Sequence, residues 1–141
     1  MNTSIRVAII IALAFFTAYA QAAAKSPHES HLAHLSGSWQ IVSQLGDERL
    51  AYAATASYSA ARHYLRVDLH DTRGGANPRL TWIIGYDKHQ GEYVCYSVDD
   101  EQRTRGPLYT RFAALADDSW QVSMHGKADA RADSEYTLRR T

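Results

Sequence analysis

Three histidines, His28, His31 and His34, recur at every third residue, so a helix through them would bring imidazole nitrogens toward one face, where a metal could be held. The spacing is not the His-Glu-x-x-His of zinc hydrolases, because Glu29 is followed by Ser30 and His31, and no Cys or fixed carboxylate stands nearby. A solvated leader without metal is the expected reading. Cys95, the lone cysteine, could act as a nucleophile with His63 or His125 as base. It lies between Val94 and Tyr96 in an alternating run, however, where a thiol usually serves as a small buried hydrophobe. Asp87, Asp99, Asp100 and Glu101 offer hard oxygens for Ca²⁺, but acidic residues are common in turns as caps, and Arg103 and Arg105 balance them. No Gly-x-Ser-x-Gly elbow, Walker loop or Gly-x-Gly-x-x-Gly is present. We therefore expect no catalytic set, metal or cofactor, with His63, His125 and Asp68 retained as the candidates for a simple acid–base site.

The more informative set is aromatic and aliphatic. Trp39, Leu65, Val67, Leu69, Trp82, Ile84, Tyr96, Trp120, Met124 and Tyr136 fall on alternate positions of successive segments. Indole and phenol groups carry polar tips on apolar bodies, so such a lining suits an amphiphilic guest. The expected ligand-binding residues are Trp39, Leu65, Val67, Trp82, Tyr96, Arg111, Trp120, Met124 and Tyr136. Arg111 or Arg140 would meet a ligand carboxylate if it faced inward.

Strands must position these residues. Trp39, Ile41, Ser43 and Leu45 alternate with Ser38, Gln40, Val42 and Gln44 up to Gly46-Asp47, and His63, Leu65, Val67 and Leu69 oppose Arg62, Tyr64, Arg66 and Asp68. Residues 71–78 form a loop, Leu80 to Tyr86 and Glu92 to Val98 a hairpin, and residues 99–107 a charged loop. Leu108 to Leu115, Trp120 to Met124 and Glu135 to Arg140 supply further strands. Residues 50–61 are Ala-rich and favour helix by propensity. A strand over Ala54 to Ser59 is nevertheless expected, because the run that follows needs an antiparallel neighbour. Roughly eight strands without amphipathic helices between them predict an antiparallel sandwich or barrel.

The chain has 141 residues with 15 Lys+Arg against 15 Asp+Glu, a balance that argues against nucleic acid as a partner. Arg6, the apolar run Val7 to Phe16 and the small residues through Ala24 read as a secretory signal, cleaved after Ala20 or Ala24. Residues 1–24 are thus expected to be a signal peptide, 25–36 a leader with a short helical turn, and 37–141 the barrel domain. A periplasmic or secreted protein without a membrane anchor follows. A single Cys excludes an internal disulfide, so stability must come from packing. Beyond residue 20 only 19 Leu, Ile, Val and Phe remain, against 12 aromatic residues, so Tyr and Trp must supply much of the inner surface.

Leu35-Ser36-Gly37-Ser38-Trp39 resembles the Gly-x-Trp opening of lipocalin-like (calycin) barrels, in which the Trp closes one end beneath the first strand. Trp82-Ile83-Ile84-Gly85-Tyr86-Asp87, with Gly91-Glu92-Tyr93-Val94 and Ser97-Val98-Asp99, resembles a hairpin of DUF1579, a family of small, often exported, lipocalin-like bacterial proteins without an established reaction. Together these pieces span Leu35 to about Gly106; the family often has a Gly where Ala60-Ala61-Arg62 stands here. The resemblance implies an all-β, antiparallel up-and-down barrel of eight to ten strands. The expected function is binding of a small apolar or amphiphilic molecule in a hollow interior, without turnover. The alternatives are the acid–base enzyme, a haem-binding barrel with His125 as ligand, as in some calycin relatives, and a structural or partner-binding domain.

Overall fold

Alternation of apolar and polar residues curls the chain into one closed sheet. The computed structural model describes residues 26–45, 47–73, 77–126 and 134–141; the expected signal segment lies outside them. Among these residues one helix, α1 (Pro27–His34), precedes eight strands: β1 (Gly37–Leu45), β2 (Glu48–Ser59), β3 (Tyr64–Asp71), β4 (Leu80–Asp87), β5 (Glu92–Asp99), β6 (Thr104–Ala114), β7 (Ser119–His125) and β8 (Ser134–Arg140). Each strand pairs antiparallel with the next, and β8 returns to β1, so the up-and-down barrel is closed and has no free edge.

Residues with the inward period form the core: Trp39 and Ile41, Leu65, Val67 and Leu69, Trp82 and Ile84, Val122 and Met124, and Leu138 are all buried. The Ala-rich segment is a strand longer than expected, Glu48–Ser59, and its register gives the reason. Trp39 pairs with Ala54, while Ala56 pairs with Val67, which in turn pairs with Trp82. Both alanines are buried and leave room for two indoles. Packing therefore overrides the helical propensity of alanine at these positions. The charged loop is also shorter than expected, because β6 begins at Thr104.

The predicted leader is not solvated; it is the plug of the barrel. Ser26 caps α1, accepting from Glu29 N at 3.2 Å, while the Glu29 carboxylate accepts from Ser26 N at 3.0 Å. Leu32 and Leu35 are buried in the core. His28 stacks on Tyr86 with ring centroids 3.5 Å apart, and Glu29 pairs with His63 at the start of β3. We call this the helix end, and the opposite end, where β4 starts and β5 finishes, the open end.

One side chain ties the first and last strands to the plug. The Arg140 guanidinium lies 4.2 Å from the Trp39 ring centroid and donates to the carbonyls of His34 and Ser36, each at 3.0 Å. Its Nε donates to Asp118 at 2.6 Å, and Trp39 Nε1 donates to Leu35 O at 2.8 Å. Gly37, at φ +136°, is required beside it, since a Cβ there would stand 2.8 Å from an Arg140 nitrogen. Replacing Arg140 by Ala is expected to lower stability by about 2–4 kcal/mol in urea unfolding, through lost charge-assisted bonds and lost cover on the indole. Ala56→Leu should cost about 1–3 kcal/mol by overpacking against the neighbouring side chains.

Candidate functional site

The centre of the barrel is filled, which corrects the expectation of a hollow interior. Enclosed space bounded by Leu35, Trp39, Leu65, Val67, Trp82 and Val122 amounts to about 10 Å³, room for about one water molecule. Ligand cavities run from about 300 Å³ upward. Trp39, Leu65 and Val67 therefore act in packing, and Arg140 spends its charge on backbone carbonyls and Asp118 rather than on a ligand.

Space does open at the open end, where a cleft of about 350 Å³ sits above this core. Its apolar wall is Leu80, Trp82, Leu108, Met124 and Tyr136, with Trp82 and Tyr136 meeting edge to face at 4.8 Å. Alternation delivers these side chains inward from four different strands. Ser97, Asp99, Arg103, Thr104, Arg105 and Ser134 form the polar rim. Asp99 is held rigidly: it accepts from the backbone N–H groups of Glu101 and Arg103 and from Arg103 Nε at 2.7 Å. Those bonds, the Arg103 N–H first, hold its carboxyl below the usual range. Tyr52 also packs against the core, and burial, then its neighbour Tyr136, raises its phenol pKa so that it remains a protonated donor.

Of the residues expected to bind ligand, the cleft gathers Trp82, Met124 and Tyr136. Trp120 is at the other end, 5.0 Å from the His31 ring. Tyr96 and Arg111 face outward, contrary to expectation. Ile84 pairs with Cys95, which turns Cys95 into the barrel and leaves Tyr96 45% exposed beside a bulge between β5 and β6. The rim residues were missed because they sit at strand ends beside a charged turn, where polar residues carry no apolar alternation to mark their direction. Their one sequence signal was the acidic run of residues 99–101 balanced by Arg103 and Arg105.

The candidates for other chemistry separate. His63, expected on the inward face of β3, stands in the preceding turn at φ 57° and pairs with Glu29 at the surface. His125 is on the outer face with Tyr109, ring centroids 5.7 Å apart, and Asp68 accepts from Arg66 and Thr81. None of the three opens on the cleft. Asp99 and Glu101 pair with Arg103, and Asp100 with Arg79, so the acidic residues do not converge on a cation; no metal-ligating group of three occurs among the described residues. Comparison of the chain with protein families, curated proteins and solved structures found no match.

Burial also shifts the acidities of Cys95 and His31. Burial pushes the Cys95 thiol up to about 12, against a weaker opposing hydrogen bond to the Ile83 backbone. Such a thiol is neutral and inert, so the folded protein should show no reaction with a disulfide reagent at neutral pH and one equivalent after denaturation. His31 sits among Tyr93, Phe112 and Trp120, and its pKa is lowered, first by burial and then by His34 and His28. The unfolded chain then binds this proton more readily than the folded one. Stability from His31 is complete above its ordinary value of 6.5 and is lost as pH falls below it. His31→Phe should flatten the fall of the thermal midpoint between about pH 7 and pH 5; an unchanged slope would place the acid sensitivity elsewhere.

Proposed function

We propose that the protein is an exported barrel that binds a small amphiphilic molecule at its open end and does not transform it. The observation that carries this reading is the cleft of about 350 Å³ over a solid core, apolar below and polar at the rim. The volume lies at the lower limit for small-molecule sites and suits one short chain or ring system rather than a large lipid. Trp82, Met124 and Tyr136 would cover the apolar part of the ligand, while Ser97, Thr104, Ser134 and the ordered Asp99–Arg103 pair would meet its polar end. Export is supported by Arg6, the apolar run Val7 to Phe16 and the small residues that follow. The family resemblance adds the barrel and no reaction, which agrees with binding rather than turnover.

Titration with decanoate and with an uncharged alkyl glycoside, followed by Trp fluorescence, tests the reading. A saturable change carried by Trp82 and lost in Ser97→Phe, which fills the cleft beside that indole, is the expected result. Absence of saturation and of any shift in thermal midpoint with both amphiphiles would overturn it.

A further inference from the structure

The outer wall of the barrel carries a second concavity, unrelated to the open end. It measures about 590 Å³ and runs over β3 to β6. Its floor is Gly85. Ile84 and Tyr86 face the interior side, so position 85 faces outward, with Tyr64 and Val94 as its cross-strand neighbours. A glycine in a strand interior costs stability and gives the sheet no side chain to pack. Among the described residues, no close neighbour demands it. An added Cβ would find only the His63 carbonyl oxygen within 4 Å, at an ordinary 3.7 Å, and the φ is not in the left-handed region. No aromatic ring covers the position either. The missing side chain leaves open space on the outside of the wall.

The sides of this space are built. Tyr96 is 45% exposed yet seated: the β5–β6 bulge turns its ring across Gly106, where a Cβ would lie 2.8 Å from the ring and 2.9 Å from Cys95 O. Tyr109, which pairs with Val94 on the same side of the groove, is buried to 9% exposure and stands against His125. Tyr64 and the margin of Tyr86 complete the set of phenols, and Arg62 and His63 before β3 and Asp87 and Gln90 after β4 border it. One glycine thus opens the floor, and another fixes a wall.

We propose that this groove binds a neutral sugar ring of a glycan chain, stacked over Gly85 between the tyrosines. The groove is open along its length, so the outer side of any occupant remains in water. An apolar planar molecule would gain little from such half-burial, whereas a pyranose presents a C–H face to a phenol and hydroxyls to the solvent and to Gln90. Fixed, pre-positioned rings reduce the ordering cost of binding.

The test is titration of the full chain with maltohexaose, cellohexaose and chitohexaose, read by backbone amide NMR shifts and calorimetry. Saturable shifts centred on Gly85, Tyr96 and Tyr109 with at least one glycan are expected. Tyr96→Ala, at an exposed position, should weaken binding by about ten-fold or more. Gly85→Val should abolish it while leaving the thermal midpoint equal or higher, since the residue has room and favours strand. Absence of shifts at these residues with all three glycans at about 10 mM, in the weak-binding range for single-ring contacts, would overturn the proposal. So would undiminished binding by either variant, or shifts produced there by a planar heterocycle such as adenosine and by no glycan. A Gly85→Val protein that fails to fold would show the glycine to be structural and would remove the argument for the floor; Tyr96→Ala then decides whether glycan contact persists.

Discussion

Arg140 holds the first and last strands of the barrel to each other. Its guanidinium covers Trp39 and binds the carbonyls at the close of α1, so the first strand, the last strand and the plug share one cation. Closure of a sheet into a barrel brings residues far apart in sequence together, and its entropic cost must be offset by contacts that exist only after closure. The β1–β8 seam supplies that offset through its ladder and this clamp. Gly37 is the local concession: a side chain there would collide with the guanidinium. Loss of the clamp would loosen the plug as well as the seam, because one guanidinium serves both.

Closure also explains why the two ends differ. At the helix end, Leu32, Leu35 and the rings of His28 and His31 fill the opening, and Glu29 fastens the helix to the first residue before β3. At the open end the described residues offer no such cover, and the inward side chains from Leu80, Trp82, Met124 and Tyr136 face a cleft. The centre between them is solid because Ala54 and Ala56 match the bulk of the two indoles. Few aliphatic residues proved enough for a packed core, since Trp and Tyr occupy the volume that Leu and Ile usually take. Scarcity of aliphatics was therefore a sign of aromatic packing and not of a void.

Outer and inner faces obey one rule with different results. Along β4, the residues at even positions fill the core, while Gly85 at an odd position leaves a depression outside. Along β5 the same alternation permits only one of Cys95 and Tyr96 to enter the barrel. Pairing with Ile84 selects Cys95, and the bulge then aims Tyr96 over Gly106. An aromatic residue next to a small one in a strand is thus a question of register, which neighbouring strands answer.

Period-two patterning by itself determined the all-β class, most strand positions, and the inward direction of Trp39, Leu65, Val67, Trp82, Trp120, Met124 and Tyr136, because side-chain direction in a strand follows from local geometry alone. Pairing in space decided what that pattern leaves open: that the alanines of β2 form a strand, that the His-rich segment is a plug, that Tyr96 and Arg111 lie outside, and that His63 leaves β3 for a turn. Packed volume was likewise invisible in the sequence. Whether a ring of inward indoles and phenols surrounds a hole or fills it depends on how closely opposite walls approach, and that distance is set only when the sheet closes on itself.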